Sequence, residues 1–148
     1  MTDLEELYQD LIVDHFKNPR NWGELPEPSA ECQANNPLCG DQVNLDIGVE
    51  GGKVSAIRFL GKGCAISQAS TSMMGEACEG LTLAEASERV EIFTQMMKAD
   101  VEEAELVKLG DAASLQGVKK FAARIRCAML GWEALKKCLA DAQDTENN

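Results

Sequence analysis

Apolar residues take every second position at Val43, Leu45, Ile47 and Val49, and return at Ile57 and Phe59 beyond the turn Glu50-Gly51-Gly52-Lys53. A period of two marks a half-buried strand, and paired glycines supply the positive φ that a tight hairpin turn needs. The pattern predicts an antiparallel hairpin over residues 42–49 and 54–60, with a third, weaker strand at 31–35. So small a sheet has one apolar face and requires a cover.

Helical patterns supply it. Leu4, Leu7, Tyr8, Leu11, Ile12, His15 and Phe16 form one stripe, Thr2 and Glu5 fit a capping box, and Asn18-Pro19 stops the helix. Two of the four prolines, Pro26 and Pro28, lie in residues 20–29, which read as an ordered loop or arm. After Gly61-Lys62-Gly63 the period becomes helical, with Ile66, Ala69, Ser70, Met73, Met74 and Ala77. Thr82 with Glu85 opens another helix, whose inward residues are Ala86, Val90, Phe93 and Met97. Short helical pieces are expected at 101–109 and 111–116. A long last helix is expected from Phe121 or Ala122, with Cys127, Leu130, Ala134, Leu135 and Cys138 inward. Helix, strands, then helices predicts an α+β fold: a three-stranded antiparallel sheet with helices on one face. One domain is expected over residues 1–148, with 141–148 a disordered polar tail.

A formal net charge of −11 argues against a nucleic-acid partner, which demands Lys and Arg. No apolar run reaches the roughly 18 residues of a membrane span. The acidic start lacks the features of a secretory signal, so a cytoplasmic location is expected. Disulfides are rare there, and six cysteines are then core residues, catalytic groups or metal ligands. A single histidine excludes a His-rich metal site.

Cys39 and Cys64 fall in glycine-flanked loops at the two ends of the hairpin, and Cys127 follows Arg124 and Arg126 near the start of the last helix. A helix N-terminus beside Cys64 and guanidiniums beside Cys127 favour thiolate. Without a C-x-x-C pair, these residues either fill the core or meet through the fold. The loop placement beside charged residues favours meeting. Asp41, two residues after Cys39, points to the same side at a strand start. Cys39, Asp41, Cys64 and Cys127 then make a set that suits tetrahedral Zn²⁺. Cys32, Cys78 and Cys138 read as structural. His15 reads as packed or half exposed on its stripe rather than as a ligand, and the methionines at 73, 74, 96 and 97 as core filler. The acids of residues 100–105 read as a solvated face.

Four segments together resemble a known family: Asp14-His15-Phe16-Lys17-Asn18-Pro19-Arg20-Asn21, Asn35-Asn36-Pro37-Leu38-Cys39-Gly40-Asp41, Gly61-Lys62-Gly63-Cys64-Ala65-Ile66-Ser67 and Phe121-Ala122-Ala123-Arg124-Ile125-Arg126-Cys127-Ala128. The chain resembles the U-type iron–sulfur cluster assembly proteins, the IscU/NifU N-terminal group, and most closely its SufU branch. IscU proteins carry a histidine before the third cysteine, where this chain has Arg126, and the segment around Leu109-Gly110-Asp111 and Leu115-Gln116-Gly117-Val118 looks like the SufU insertion.

The resemblance implies a SufE/IscU-like fold and Zn²⁺ held by Cys39, Asp41, Cys64 and Cys127. It implies that Cys39 accepts sulfur from the persulfide of a SufS-type cysteine desulfurase, with Arg124 in support. This would be a sulfurtransferase-like role without independent turnover. The alternative it implies is a scaffold on which the same residues hold a nascent [2Fe–2S] or [4Fe–4S] cluster for delivery to an Fe–S acceptor or other Suf proteins.

Overall fold

The computed structural model describes the backbone of residues 3–147 and the side chains of residues 9–144. The elements run α1 (Asp3–Lys17), β1 (Ala30–Asn36), β2 (Asp41–Glu50), β3 (Lys53–Lys62), α2 (Ala65–Cys78), α3 (Leu83–Lys98), α4 (Glu103–Leu106), a 3-10 segment (Val107–Lys120) and α5 (Ala122–Asn147). The strands form one antiparallel sheet in the order β1-β2-β3. Val43, Leu45 and Ile47 of β2 and Val54, Ile57 and Phe59 of β3 are fully buried on one face, where α5 and α2 pack. The alternation read from the sequence is thus the sheet's covered face, and the fold is the expected α+β single domain.

The arm at residues 20–29 begins on the outer edge of β3 at residues 21–23 and ends beside β2, where Ser29 donates its N–H to the Ile47 carbonyl at 2.7 Å. Phe59 donates its N–H to the Asn21 carbonyl at 2.9 Å, Gly23 donates to the Phe59 carbonyl at 2.9 Å, and the Trp22 ring stands edge-on to Phe59 with centroids 5.3 Å apart. This covers a strand edge that would otherwise offer unpaired backbone groups.

The capping box at the start of α3 forms in both directions: Glu85 donates its N–H to Thr82 Oγ1, and Thr82 its N–H to the Glu85 carboxylate, each at 3.0 Å. The box expected at Thr2 lies outside the described residues. Ala86, Val90, Phe93 and Met97 are buried as expected. The helix expected over 101–109 is shorter: α4 ends at Leu106, and the 3-10 segment carries the chain through Gly110 at φ 58° and ψ −134°. That backbone lies outside the helical region, so Gly110 divides the segment instead of capping a long helix. Helix α5 continues to Asn147, through most of the segment read as a tail, and Ala142 is buried. Its core includes Trp132, whose ring stacks on Phe93 with centroids 4.2 Å apart and an angle of 6° between planes.

Among the described residues no helix is long and apolar enough to cross a membrane.

Candidate metal centre

The β1–β2 register pairs Asn36 with Asp41 across a four-residue loop that contains Cys39. Both paired side chains are 2% exposed, because each continues the inward alternation of its strand. Cys39 donates its N–H to the Asn36 carbonyl at 3.2 Å, and Gly40 turns the chain at φ 70°. The loop leaves the Cys39 side chain exposed.

Beside Asp41 across the open end of the β2–β3 hairpin, Gly63 stands where β3 gives way to α2, at φ 131°. A Cβ on Gly63 would lie 2.7 Å from Asp41 Cα and 2.9 Å from its Cγ. The missing side chain is the space that Asp41 occupies. Its carboxylate accepts the Cys64 N–H at 2.7 Å through Oδ1, and Cys64 Sγ lies 3.8 Å from Oδ2. Cys64 is the residue capping the N-terminus of α2, yet its thiol caps nothing. A carboxylate at this position also meets the positive end of the helix dipole.

Helix α5 brings the third thiol from the other side. Cys127 Sγ lies 3.7 Å from Cys39 Sγ and accepts the Asn36 Nδ2 amide at 3.8 Å. The donor atoms of Cys39, Asp41 and Cys127 all lie within 4.8 Å of one another, and Cys64 joins them through Asp41. All four expected residues therefore converge. Cys32, Cys78 and Cys138 lie elsewhere, Cys78 and Cys138 among the core residues and Cys32 packed against them.

One expectation fails. Two neighbouring arginines were expected to favour thiolate at Cys127, but its thiol is pushed up to about 12, first by burial and then by hydrogen bonds with Asp41, Cys39 and Cys64. Desolvation and crowding by other acids outweigh a cation that remains in solvent. Arg124 does face the cluster: its own pKa is raised, first by a hydrogen bond to Cys127 and then by the charges of Cys64, Cys127 and Cys39. Arg126 is exposed on the helix.

Three thiols and a carboxylate converging from three parts of the chain are able to hold a metal ion. A cation would relieve the crowding that holds the Cys127 proton, and the Asn36 amide and Arg124 guanidinium are placed to donate to the resulting thiolate. Asn36 was not singled out as a site residue. Its signal was its register position, which becomes visible only once β1 is paired.

The NifU-like N-terminal domain model matches residues 7–128. The chain belongs to this family. A zinc-dependent sulfurtransferase SufU from Bacillus subtilis is 45% identical over 93% of this chain and 92% of its own length. An iron–sulfur cluster assembly scaffold protein IscU from Streptococcus pyogenes is 37% identical over 99% of this chain and 91% of its own. The crystal structure of an iron–sulfur cluster assembly scaffold protein for the SUF system, from Fervidobacterium islandicum, superposes with a TM-score of 0.83 at 32% identity, covering 91% of this chain and 98% of that one. The match to the family model spans α1 to the early turns of α5, so it includes every residue of the thiol cluster.

Proposed function

We propose that this chain is a zinc-dependent sulfur acceptor in iron–sulfur cluster assembly. Cys39 takes sulfur from the persulfide of a SufS-type cysteine desulfurase, and Cys39, Asp41, Cys64 and Cys127 hold the zinc. The observation that carries this reading is the gradient of exposure within the cluster. Cys39 is exposed on a turn, Cys64 is half-buried and Cys127 is buried. Sulfur crossing between two proteins needs one thiol that both can reach, and Cys39 is that thiol.

Bound zinc would keep its thiol ligands deprotonated and draw them together. The transfer itself belongs to Cys39. Its sulfur attacks the outer sulfur of the desulfurase persulfide and forms the new S–S bond, while the donor's S–S bond breaks and its cysteine leaves as thiolate. Gly40 and the short hairpin loop hold Cys39 at the surface for this encounter. Arg124, in solvent beside the thiols, offsets their negative charge.

The test is to mix the chain with the desulfurase and cysteine, label thiols and persulfides by alkylation, and read masses. Added sulfur is expected on Cys39, with Cys39→Ser abolishing it. Sulfur on Cys64 or Cys127 with Cys39 unmodified sinks the assignment. The relatives named as scaffolds support a second reading, in which the same four residues hold a nascent [2Fe–2S] or [4Fe–4S] cluster. Metal content and the absorption spectrum of anaerobically purified protein separate the two. Stoichiometric zinc supports sulfur transfer, and a charge-transfer spectrum with transferable iron supports the scaffold.

A further inference from the structure

Away from the thiol cluster, His15 is fully buried at the C-terminal turn of α1. Ser72 Oγ of α2 lies 2.8 Å from His15 Nδ1, and Asp111 Oδ2 of the 3-10 segment lies 2.9 Å from His15 Nε2. Glu76, one turn beyond Ser72, completes a set in which one donor atom each from His15, Glu76 and Asp111 lies within 4.8 Å of the others.

Charge around this set does not balance. The carboxylates of Asp14, Glu76 and Asp111 all face the guanidinium of Arg20. Three acids against one guanidinium leave an excess of two negative charges before the imidazole is counted. Nor is Arg20 shared equally: it holds Asp14 at 2.6 Å, whereas its Nε is 3.7 Å from Glu76. The side chains of Glu76 and Asp111 are 47% and 36% exposed. The set therefore opens to solvent on the carboxylate side, while the imidazole forms its floor.

We propose that His15, Glu76 and Asp111 bind a divalent transition-metal ion, separate from the thiol cluster. One imidazole and two carboxylates form a harder donor set than three thiols, suited to ions such as Mn²⁺ or Fe²⁺ as well as Zn²⁺. Ser72 makes the histidine competent. Its Oγ already accepts the Arg20 N–H at 2.8 Å and has room to accept His15 Nδ1–H, which leaves the Nε2 lone pair for the ion. The hydroxyl serves either ring tautomer at the same distance, so the ion displaces only the hydrogen bond between Nε2 and Asp111. Twelve residues of α2 separate Glu76 from Cys64, about 18 Å along the helix, so the two sites share no ligand. The ion would bind α1, α2 and the 3-10 segment to one another, and that segment leads directly into Arg124 and Cys127.

Mn²⁺ is the probe, because an oxygen-preferring ion leaves the thiols to softer metals. The full chain as purified is titrated with Mn²⁺, and free ion is followed by electron paramagnetic resonance. One saturable Mn²⁺ per chain is expected, together with a rise in melting temperature. Glu76→Gln and Asp111→Asn should each weaken binding tenfold or more, with the circular dichroism and the metal content of the thiol cluster unchanged. Binding that does not saturate, or that survives both substitutions, overturns the proposal. So does saturable binding that Cys39→Ser abolishes, since that places the ion among the thiols.

Discussion

Gly63 and Asp41 fit together as a matched pair. A side chain at 63 would strike the Asp41 carboxylate and would also sit at φ 131°, where L residues are strained. Gly63→Ala is expected to cost about 1–3 kcal/mol and to push Asp41 off the Cys64 N–H. Melting and metal analysis of the purified variant check this. Unchanged stability with unchanged metal content would mean that the close approach is not needed.

Cys78 gives a second prediction at this scale. Burial pushes its thiol from an ordinary 9.0 up to about 12. The folded chain therefore holds this proton more tightly than the unfolded chain. The stabilising contribution is complete below pH 9 and is lost as pH rises toward 12. Urea unfolding at pH 8, 10 and 11 should show stability falling, and falling less steeply in Cys78→Ala. Equal slopes in the two proteins would refute the assignment.

Among the elements, α2 and α5 cross in close contact. Ser70 Oγ donates to the Ala128 carbonyl at 2.6 Å and accepts the Trp132 indole N–H at 3.1 Å. A Cβ on Gly131 would lie 2.9 Å from Thr71 Cβ and 3.0 Å from Thr71 Cα. The backbone of α2 cannot yield there as a flexible side chain would. Gly131→Ala is expected to cost about 1–3 kcal/mol by overpacking, and to disturb the thiols as well, because these two helices carry Cys64 and Cys127. Denaturant unfolding reads the first effect and metal content the second. Loss of stability with full metal retention would show that the crossing angle and the site are independent.

For the molecule as a whole, one aromatic stack joins α5, which covers the sheet, to α3. Trp132 is fully buried against Phe93 of α3 while its indole bonds Ser70 of α2, so three helices meet at one side chain. Trp132→Ala is expected to cost about 3–5 kcal/mol, a large share of the stability of a domain this size, measured by urea unfolding. A loss under about 1 kcal/mol would mean that the helices close over the gap.

Much of this arrangement was legible in the residues. Period-two apolar residues with paired glycines specify a hairpin, and Thr82 with Glu85 specifies a helix start, because each is a local geometry set by neighbouring side chains. The break at Gly110 was only half legible. A glycine permits a positive φ without saying whether a helix ends there or a 3-10 path continues. Cys39, Asp41 and Cys64 could be placed at the ends of the hairpin, since a strand's alternation and a helix's start aim their side chains. What tertiary structure decided was their company. Asn36 reaches Cys127 only because β1 pairs with β2 at one register and α5 crosses that corner. The proton on Cys127 likewise depends on burial and on three acids from distant parts of the chain, and these outweigh the two arginines written beside it. The buried meeting of His15, Ser72 and Asp111 has no local signature. Desolvation and long-range contact act on distances in space, and those exist only once the chain has folded.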